Sequence, residues 1–411
     1  MDVDMDRYNL AGPNASHERL LKLQGIKAAE PSDWPSMLLE ECLNGSFETF
    51  FSSVPVRRDS EPAQVEGLPE TVIKLAKTPG VKGLLDDIQC YKQILVRDEY
   101  LWALNDAQAA CYKRETKFHT PSECIHPKVQ YRSVTEVPSP SPPVFSHNPF
   151  DDLRQVQDFY GKNKAFMIIG YPGIGKTAFL PIIVVLRCLA RRVTFLQTKQ
   201  NEMWMFYPFL RTVYVLRTED IRPTQLRELL PQDTWALIDS NDDISSVPSC
   251  ITSMRTFVIQ ATSARVFRTE WAPKRSYGAI RWYMASWTLG ELICGRDFDP
   301  FDEDHHPTSE KDLEAFMAVC PPSARIAYSL QDEHFDFKKH VSSYRLGGAM
   351  TLQRLARLLS DDPEFDKDDT TSHHVLAITP GPIMYHLLRD KLRAGGYDPY
   401  PPWKMSGVAV D

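Results

Sequence analysis

The chain has 411 residues, 43% hydrophobic and 11% aromatic, enough to bury a substantial core spread over two or three domains. Its formal charge of −7 argues against indiscriminate nucleic-acid binding, so any such contact must come from a local basic face. The eight cysteines lie far apart with no Cys-x-x-Cys pair, no run approaches the ~20 apolar residues of a membrane span, and the first residues lack a secretory pattern. An intracellular protein, nuclear or cytoplasmic and without a membrane partner, is expected.

Residues 1–30 are polar and aperiodic, which predicts a flexible leader. Apolar residues then recur at helical spacing from Trp34 to Phe51 and from Leu68 to Ala110, with Leu84, Leu85, Ile88, Tyr91, Ile94 and Leu95 on one face. The charged, Pro-containing stretch between Val56 and Gly67 reads as a loop. Cys111, His119, Cys124 and His126 fall close together but match no zinc spacing, so incidental loop residues are expected. The run Val137-Pro-Ser-Pro-Ser-Pro-Pro-Val144 is a stiff linker without a core-forming face and predicts a domain boundary. Asn148 follows as the cap of a short helix over Phe150–Tyr160.

The strongest signal comes next. An apolar strand, Ala165–Ile169, runs into Gly170-Tyr-Pro172-Gly173-Ile174-Gly175-Lys176-Thr177-Ala178 and then into a helical pattern reaching Leu189. Strand, G-x-x-x-x-G-K-[ST] and helix together define a phosphate-binding loop. Glycines let the backbone turn tightly enough for successive N–H groups to face an anion at a helix N-terminus. Lys176 is positioned to meet β- and γ-phosphates and Thr177 to take one Mg²⁺ coordination place, while Pro172, Ile174 and Ala178 complete the nucleotide-lining set. Pro181 sits early enough for the helix to survive it, with a bend at most.

Val193–Gln197 reads as a second strand, and Met203–Phe206 with Thr212–Leu216 as short strands or a meander. Trp235-Ala-Leu-Ile-Asp239 is an apolar strand ending in a carboxylate, the form that sets an Asp beside Mg²⁺. Thr256–Gln260 is a further strand, and Thr262 or Ser263 after it is placed to touch a γ-phosphate or the attacking water, or to serve as an ordinary polar turn. Arg265 to Trp287 interleaves Arg265, Arg268, Lys274 and Arg275 with Trp271, Trp282 and Trp287; lid packing around the tryptophans is the better reading, with single-stranded nucleic acid as the other. A helix follows at Thr288–Ile293. The acidic run Asp297–His306 lacks calcium-loop order and reads as a solvated loop. A helical stretch over Leu313–Leu330 breaks at Pro321-Pro322, and Arg325 just after the break can reach a γ-phosphate from a lid. Asp361–Thr371 reads as a charged loop, Val375–Thr379 as a strand and Ile383–Ala394 as an amphipathic helix.

With the Tyr-Pro-Gly-Ile-Gly-Lys-Thr loop, the segment Arg281-Trp-Tyr-Met-Ala-Ser-Trp-Thr-Leu-Gly-Glu-Leu292 and Pro322-Ser-Ala-Arg325 in order, the chain resembles the NTPase module of Crinkler effectors and retrotransposon hot spot proteins. Ile94-Leu-Val-Arg-Asp-Glu-Tyr100 is similar to the segment preceding that module, and the resemblance spans roughly residues 90–390. It implies an additional-strand P-loop ATPase related to signalling ATPases, using ATP and Mg²⁺. By position, Lys176 and Thr177 then bind phosphate and metal, Asp239 is the metal-side acid and Arg325 the lid arginine. The chain departs from the family in having Pro321 where glycine is expected and in showing no nuclease pattern near its C-terminus.

The expected fold class is α/β, a P-loop NTPase with a mostly parallel, helix-covered sheet, a helical N-terminal region and a C-terminal helical lid. Its expected division is a leader and helical region over 1–136, a linker over 137–147, the NTPase core over 148–270, and the lid and C-terminal region over 271–411. The expected activity is Mg²⁺-dependent ATP binding with slow hydrolysis, working as a nucleotide-driven switch. A non-hydrolysing nucleotide-gated scaffold or nucleic-acid binder is the alternative, and any partner beyond nucleotide is left open. Ser240 stands where many ATPases carry a second acid, which leaves Asp242 or Asp243 to orient water.

Overall fold

The computed structural model describes residues 13–60, 62–65, 68–76, 78–88, 93–112, 145–151, 163–170, 173–241, 244, 246–254, 256–262, 271, 278–298, 307–319, 323–329, 377–380 and 403–406. Within them the N-terminal part contributes α1 (Pro13–Leu21), β1 (Ile26–Ala28), α2 (Trp34–Asn44), α3 (Phe47–Phe50), β2 (Phe51–Pro55), β3 (Thr71–Leu75), α4 (Pro79–Asp87), β4 (Ile94–Leu95) and α5 (Asp98–Tyr112). The central part runs β5 (Asn163–Ile169), α6 (Lys176–Leu189), β6 (Thr194–Lys199), β7 (Glu202–Tyr207), β8 (Thr212–Arg217), α7 (Pro223–Arg227), β9 (Trp235–Asp239), α8 (Ser249–Ser253) and β10 (Phe257–Thr262). Then come β11 (Gly278–Tyr283), α9 (Leu289–Gly295), α10 (Glu310–Val319), α11 (Ala324–Tyr328) and a pair of strands, β12 (Ala377–Pro380) and β13 (Trp403–Ser406).

One eight-stranded sheet organises the molecule, in the order β1-β8-β7-β6-β9-β10-β5-β11. From β6 to β11 every neighbouring pair is parallel, whereas β7, β8 and β1 extend the sheet antiparallel. β10 therefore lies between the strand that feeds the phosphate loop and the strand that ends in Asp239, the additional-strand arrangement. Side chains alternate across the strands as the pleat requires. Phe166, Ile168, Leu237 and Ile259 face one core, and Ala165, Ala236, Ile238 and Val258 the other.

The first core holds α6, whose residues from Ala178 to Cys188 are all buried. A helix apolar all round must be covered on both sides. The sheet lies on one side of it, and α2, α3 and α4 lie on the other. Pro181 is accommodated within it without a break. The second face is covered by α1, α7 and α8 through Leu20, Leu226 and Ile251. This is an α/β P-loop NTPase fold with a mostly parallel sheet. Among the described residues no helix is long and apolar enough to cross a membrane.

The N-terminal part departs from the helical expectation. Thr71–Leu75 pairs antiparallel with Phe51–Pro55 and with Ile94–Leu95 in a three-stranded sheet, so Ile94 and Leu95 leave the helical face assigned to them. The β-branched run Thr71-Val72-Ile73 favours this extended state once a partner strand is present. Within the leader, Pro13–Leu21 is helical, and Ile26–Ala28 closes the antiparallel edge of the main sheet against β8. A short polar segment can be fixed in this way because the unpaired edge supplies backbone partners that the segment itself does not encode.

β11 is a second difference: Gly278–Tyr283, read as part of a basic and aromatic lid, is the fifth parallel strand and pairs with β5. The Pro-rich run through Val144, His119, Cys124, His126, most of Phe150–Tyr160 and of Asp297–His306, Asp361–Thr371 and Ile383–Ala394 lie outside the described residues. Phe145, next to the Pro-rich run, packs its ring 5.0 Å from that of Phe47 and 5.1 Å from that of Phe51.

Candidate functional site

Parallel strands bring their C-terminal ends to one edge of the sheet, where ligand crevices open in folds of this kind. Ile169 ends β5 in register with Thr262 of β10 and Tyr283 of β11, and Asp239 ends β9 opposite Ala261. β10 continues through Thr262, which is thus a buried strand residue rather than part of a turn. Gly170 begins the loop directly from β5.

The loop's backbone needs its glycines. Gly173 and Gly175 have φ of +85° and +98°, a region that side-chain-bearing residues rarely enter. Space forbids a Cβ there as well: one at Gly173 would strike the Ser323 hydroxyl, and one at Gly175 the Tyr100 hydroxyl. α6 starts immediately after, at Lys176, so the helix N-terminus and the loop face the same space. The Lys176 ammonium donates to the Gly170 carbonyl at 2.7 Å. The Thr177 hydroxyl donates to Asp239 Oδ1 at 3.0 Å, joining residues 62 positions apart in sequence.

Ser240 turns away from this pair. Its N–H donates to the Ala261 carbonyl at 2.9 Å, and its hydroxyl accepts from Gln260 Nε2 at 2.8 Å. Gln260 Oε1 in turn accepts from the Trp271 indole at 2.8 Å. Ser240 thus belongs to a polar chain linking β9 and β10 to Trp271.

The lid reaches the loop from the other side. Ser323 is fully buried, its hydroxyl finds no partner among the described residues, and it abuts Gly173. The Arg325 Cβ lies 3.4 Å from where a Gly173 Cβ would stand, and its side chain is exposed. α11 therefore rests on the loop with the Arg325 stem beside Gly173.

Behind the loop lies a set of contacts that residue spacing did not reveal. The buried Arg97 donates from Nη1 to the Ile174 carbonyl at 2.9 Å, and the Trp287 indole donates to the same oxygen at 3.0 Å. The Tyr100 hydroxyl donates to the Gly175 carbonyl at 3.0 Å. Glu291 takes Arg97 Nε at 2.9 Å and Nη2 at 3.0 Å, and the guanidinium lies 4.5 Å from the Trp287 ring centroid. Burial works against the Arg97 charge, but Glu291, together with Tyr100 and Glu99, more than offsets it and holds the group above its ordinary range. The carriers were visible in the two segments of family resemblance, Ile94–Tyr100 and Arg281–Leu292; their meeting point was not.

Of the sequence-derived site residues, Gly170, Gly173, Ile174, Gly175, Lys176, Thr177, Ala178, Asp239, Thr262 and Arg325 gather at this edge. Pro172 and Ser263 lie outside the described residues, as do Asp242, Asp243, Arg265, Arg268, Lys274, Arg275, Pro321 and Pro322.

No protein-family model matches the chain, and no curated protein matches it. Among solved structures it is similar to the RuvB Holliday junction branch migration motor of Thermotoga maritima, at 14% identity and a TM-score of 0.26, over 57% of this chain and 75% of that one. It is also similar to the FIGL-1 AAA domain in complex with ADP, at 18% identity and a TM-score of 0.20, over 50% of this chain and 66% of that one. At such scores neither likeness speaks to activity.

Proposed function

We propose that the chain binds ATP with Mg²⁺, hydrolyses it slowly and works as a nucleotide-driven switch of the Crinkler and retrotransposon hot spot type. The observation that carries this reading is the Thr177–Asp239 contact beside a glycine loop of positive φ: a hydroxyl and a carboxylate meet where hard-cation ligands are needed, next to a nest for phosphate. The residues fit the group. When bound, Mg²⁺-ATP supplies the anhydride to be cleaved and a cation that neutralises its charge. Lys176, now on the Gly170 carbonyl, would hold phosphate oxygens, and Thr177 with Asp239 would hold the cation. Arg325 would add charge from the lid, so positioning and neutralisation would carry most of the chemistry.

A non-hydrolysing, nucleotide-gated scaffold is the second reading, and Ser240 favours it. The residue after Asp239 is a hydroxyl already engaged by Gln260, not a carboxylate free to orient water. Calorimetry with ATP and ADP, with and without Mg²⁺, followed by phosphate release, separates the two. Asp239→Asn is expected to keep measurable ATP affinity and to lower turnover at least about tenfold, because a weaker cation ligand harms the transition state most. Wild-type turnover in that variant removes Asp239 from the site. ATP binding without any phosphate release selects the scaffold.

A further inference from the structure

We propose that Arg97, Tyr100 and Trp287 are positioning residues for the phosphate loop, holding its carbonyls outward so that its N–H groups face the phosphates. The inference rests on the nucleotide reading above and names the residues that shape that site from outside it.

A trans peptide is planar, so the C=O of one residue and the N–H of the next point in opposite directions. Fixing the Ile174 carbonyl on the Arg97 and Trp287 side aims the Gly175 N–H the other way. Fixing the Gly175 carbonyl toward Tyr100 does the same for the Lys176 N–H. The Ile174 oxygen takes both donors, at 2.9 Å and 3.0 Å, which uses both of its lone pairs. The Gly175 oxygen takes the Tyr100 hydroxyl at 3.0 Å and the Phe179 N–H of α6 at 3.2 Å. The peptides most in need of orientation are thus held by side chains from outside the loop.

Each holder is itself held. Arg97 is buried, forked onto Glu291 and stacked over Trp287; its Nη2 also donates to the Ala285 and Ser286 carbonyls at 3.3 Å. Glu291 is fixed in turn by the α9 capping box, in which its Oε2 accepts the Thr288 N–H at 2.9 Å and its own N–H donates to the Thr288 hydroxyl at 3.1 Å. Tyr100 sits on α5 with its ring 5.5 Å from that of Phe179. The holders come from two separate stretches, the start of α5 and the junction between β11 and α9. A displacement of either stretch therefore turns loop N–H groups away from the phosphates.

The test uses the full chain and three variants that remove loop-facing donors while keeping an aromatic ring or the charge: Tyr100→Phe, Trp287→Phe and Arg97→Lys, the last of which also gives up the guanidinium fork on Glu291. Tyr207→Phe is the control, since its hydroxyl donates to the Leu229 carbonyl at 2.9 Å in the second core, among residues with no part in the loop. Two readouts are taken: ATP and ADP affinity by calorimetry, and amide hydrogen exchange over 173–177 without nucleotide. Tyr100→Phe and Trp287→Phe are each expected to weaken both nucleotides about three- to tenfold. Both are expected to speed exchange in the loop while melting no lower than Tyr207→Phe, whose affinity and loop exchange stay at wild-type values. Arg97→Lys keeps the charge opposite Glu291 and is expected to behave like the ring variants, so the result does not depend on either ring variant folding. Wild-type affinity and loop exchange in folded Tyr100→Phe, Trp287→Phe and Arg97→Lys overturn the proposal. If the wild type binds neither nucleotide, the nucleotide reading falls, and faster or unchanged loop exchange still decides whether these residues hold the loop.

Discussion

Glu99, behind the phosphate loop, and Glu310, in the lid, are both buried, with 3% and 0% of their surface exposed, yet their carboxyls are displaced in opposite directions. Burial pushes Glu99 up to about 7, and Arg97 and the Ala285 N–H, at 2.6 Å, offset only part of that. Burial pushes Glu310 up as well, but Arg58 and the N–H groups of Asp59 and Ala63 more than reverse it and hold the carboxyl below its ordinary range. The difference lies in how donors are spent. Arg58 gives Glu310 both Nε and Nη2 at 2.9 Å, with Arg296 Nη2 at 3.5 Å. Arg97, by contrast, spends its fork on Glu291 and on the carbonyls of Ile174, Ala285 and Ser286. The lid network therefore closes on itself and ties Arg58, Asp59 and Ala63 to α10. The network behind the loop gives donors away to the site, and the buried Glu99 is left about half protonated near neutral pH.

The largest effect should come from breaking the closed network. Glu310→Ala leaves Arg296 buried, with the Asp59 carboxylate at 3.0 Å as its one remaining ion-pair partner among the described residues, and strands the Ala63 N–H. Its expected cost is about 3–5 kcal/mol of stability in urea unfolding, with ATP affinity of the folded molecules within about twofold of wild type. A loss under about 1 kcal/mol would mean that the lid does not depend on this cluster.

The converse variant spares stability and removes binding. Lys176→Ala is expected to weaken ATP at least about a hundredfold, or about 2.7 kcal/mol, because the loop loses its mobile cation. Its melting temperature should stay near wild type, since Lys176 is only half-buried and its bond to the Gly170 carbonyl is part-exposed. Unchanged ATP affinity at matched Mg²⁺ would exclude Lys176 from phosphate contact.

Acid–base titration sharpens the comparison. Glu99 has a folded value of about 7 against an ordinary 4.5, so the stability linked to it is full below about 4.5 and is lost as pH rises through 7. Glu310 has the opposite sign: its contribution is present above the ordinary carboxyl range and is lost as pH falls through its depressed folded value. Glu99→Gln is expected to match wild type near pH 5 and to exceed its stability at pH 8 by up to about 3 kcal/mol. Parallel stability curves for the two proteins from pH 5 to 8 would show that Glu99 does not titrate in that window.

The smallest effect belongs to Arg325, exposed on α11 beside Gly173. Arg325→Ala is expected to weaken ATP about two- to fivefold and to leave ADP unchanged, since only ATP carries a γ-phosphate for the lid to meet. Equal loss for both nucleotides in parallel titrations would assign it to lid packing.

Where local chemistry alone decides the backbone, the chain was legible. Gly170 to Thr177 specifies a loop because glycine alone adopts those torsions cheaply, and the apolar runs ending at Ile169 and Asp239 specify strands wherever both faces of a sheet are covered. The helix read at Thr288–Ile293 forms as α9, and the structure opens it with a Thr288–Glu291 capping box. Strand status for Thr71–Leu75, for Gly278–Tyr283 and for Ile26–Ala28 was not legible, because a short strand acquires its hydrogen bonds and its register from a partner that is remote in sequence. The same limit applies to the site. Lys176, Thr177, Asp239 and Arg325 stand out because their residue types sit in patterned places, whereas Arg97, Tyr100, Trp287 and Glu291 are ordinary residues of their segments until folding sets them against two carbonyls of the loop. A carbonyl leaves no mark in a sequence, so side chains that serve the site by holding its backbone are identified by tertiary structure alone.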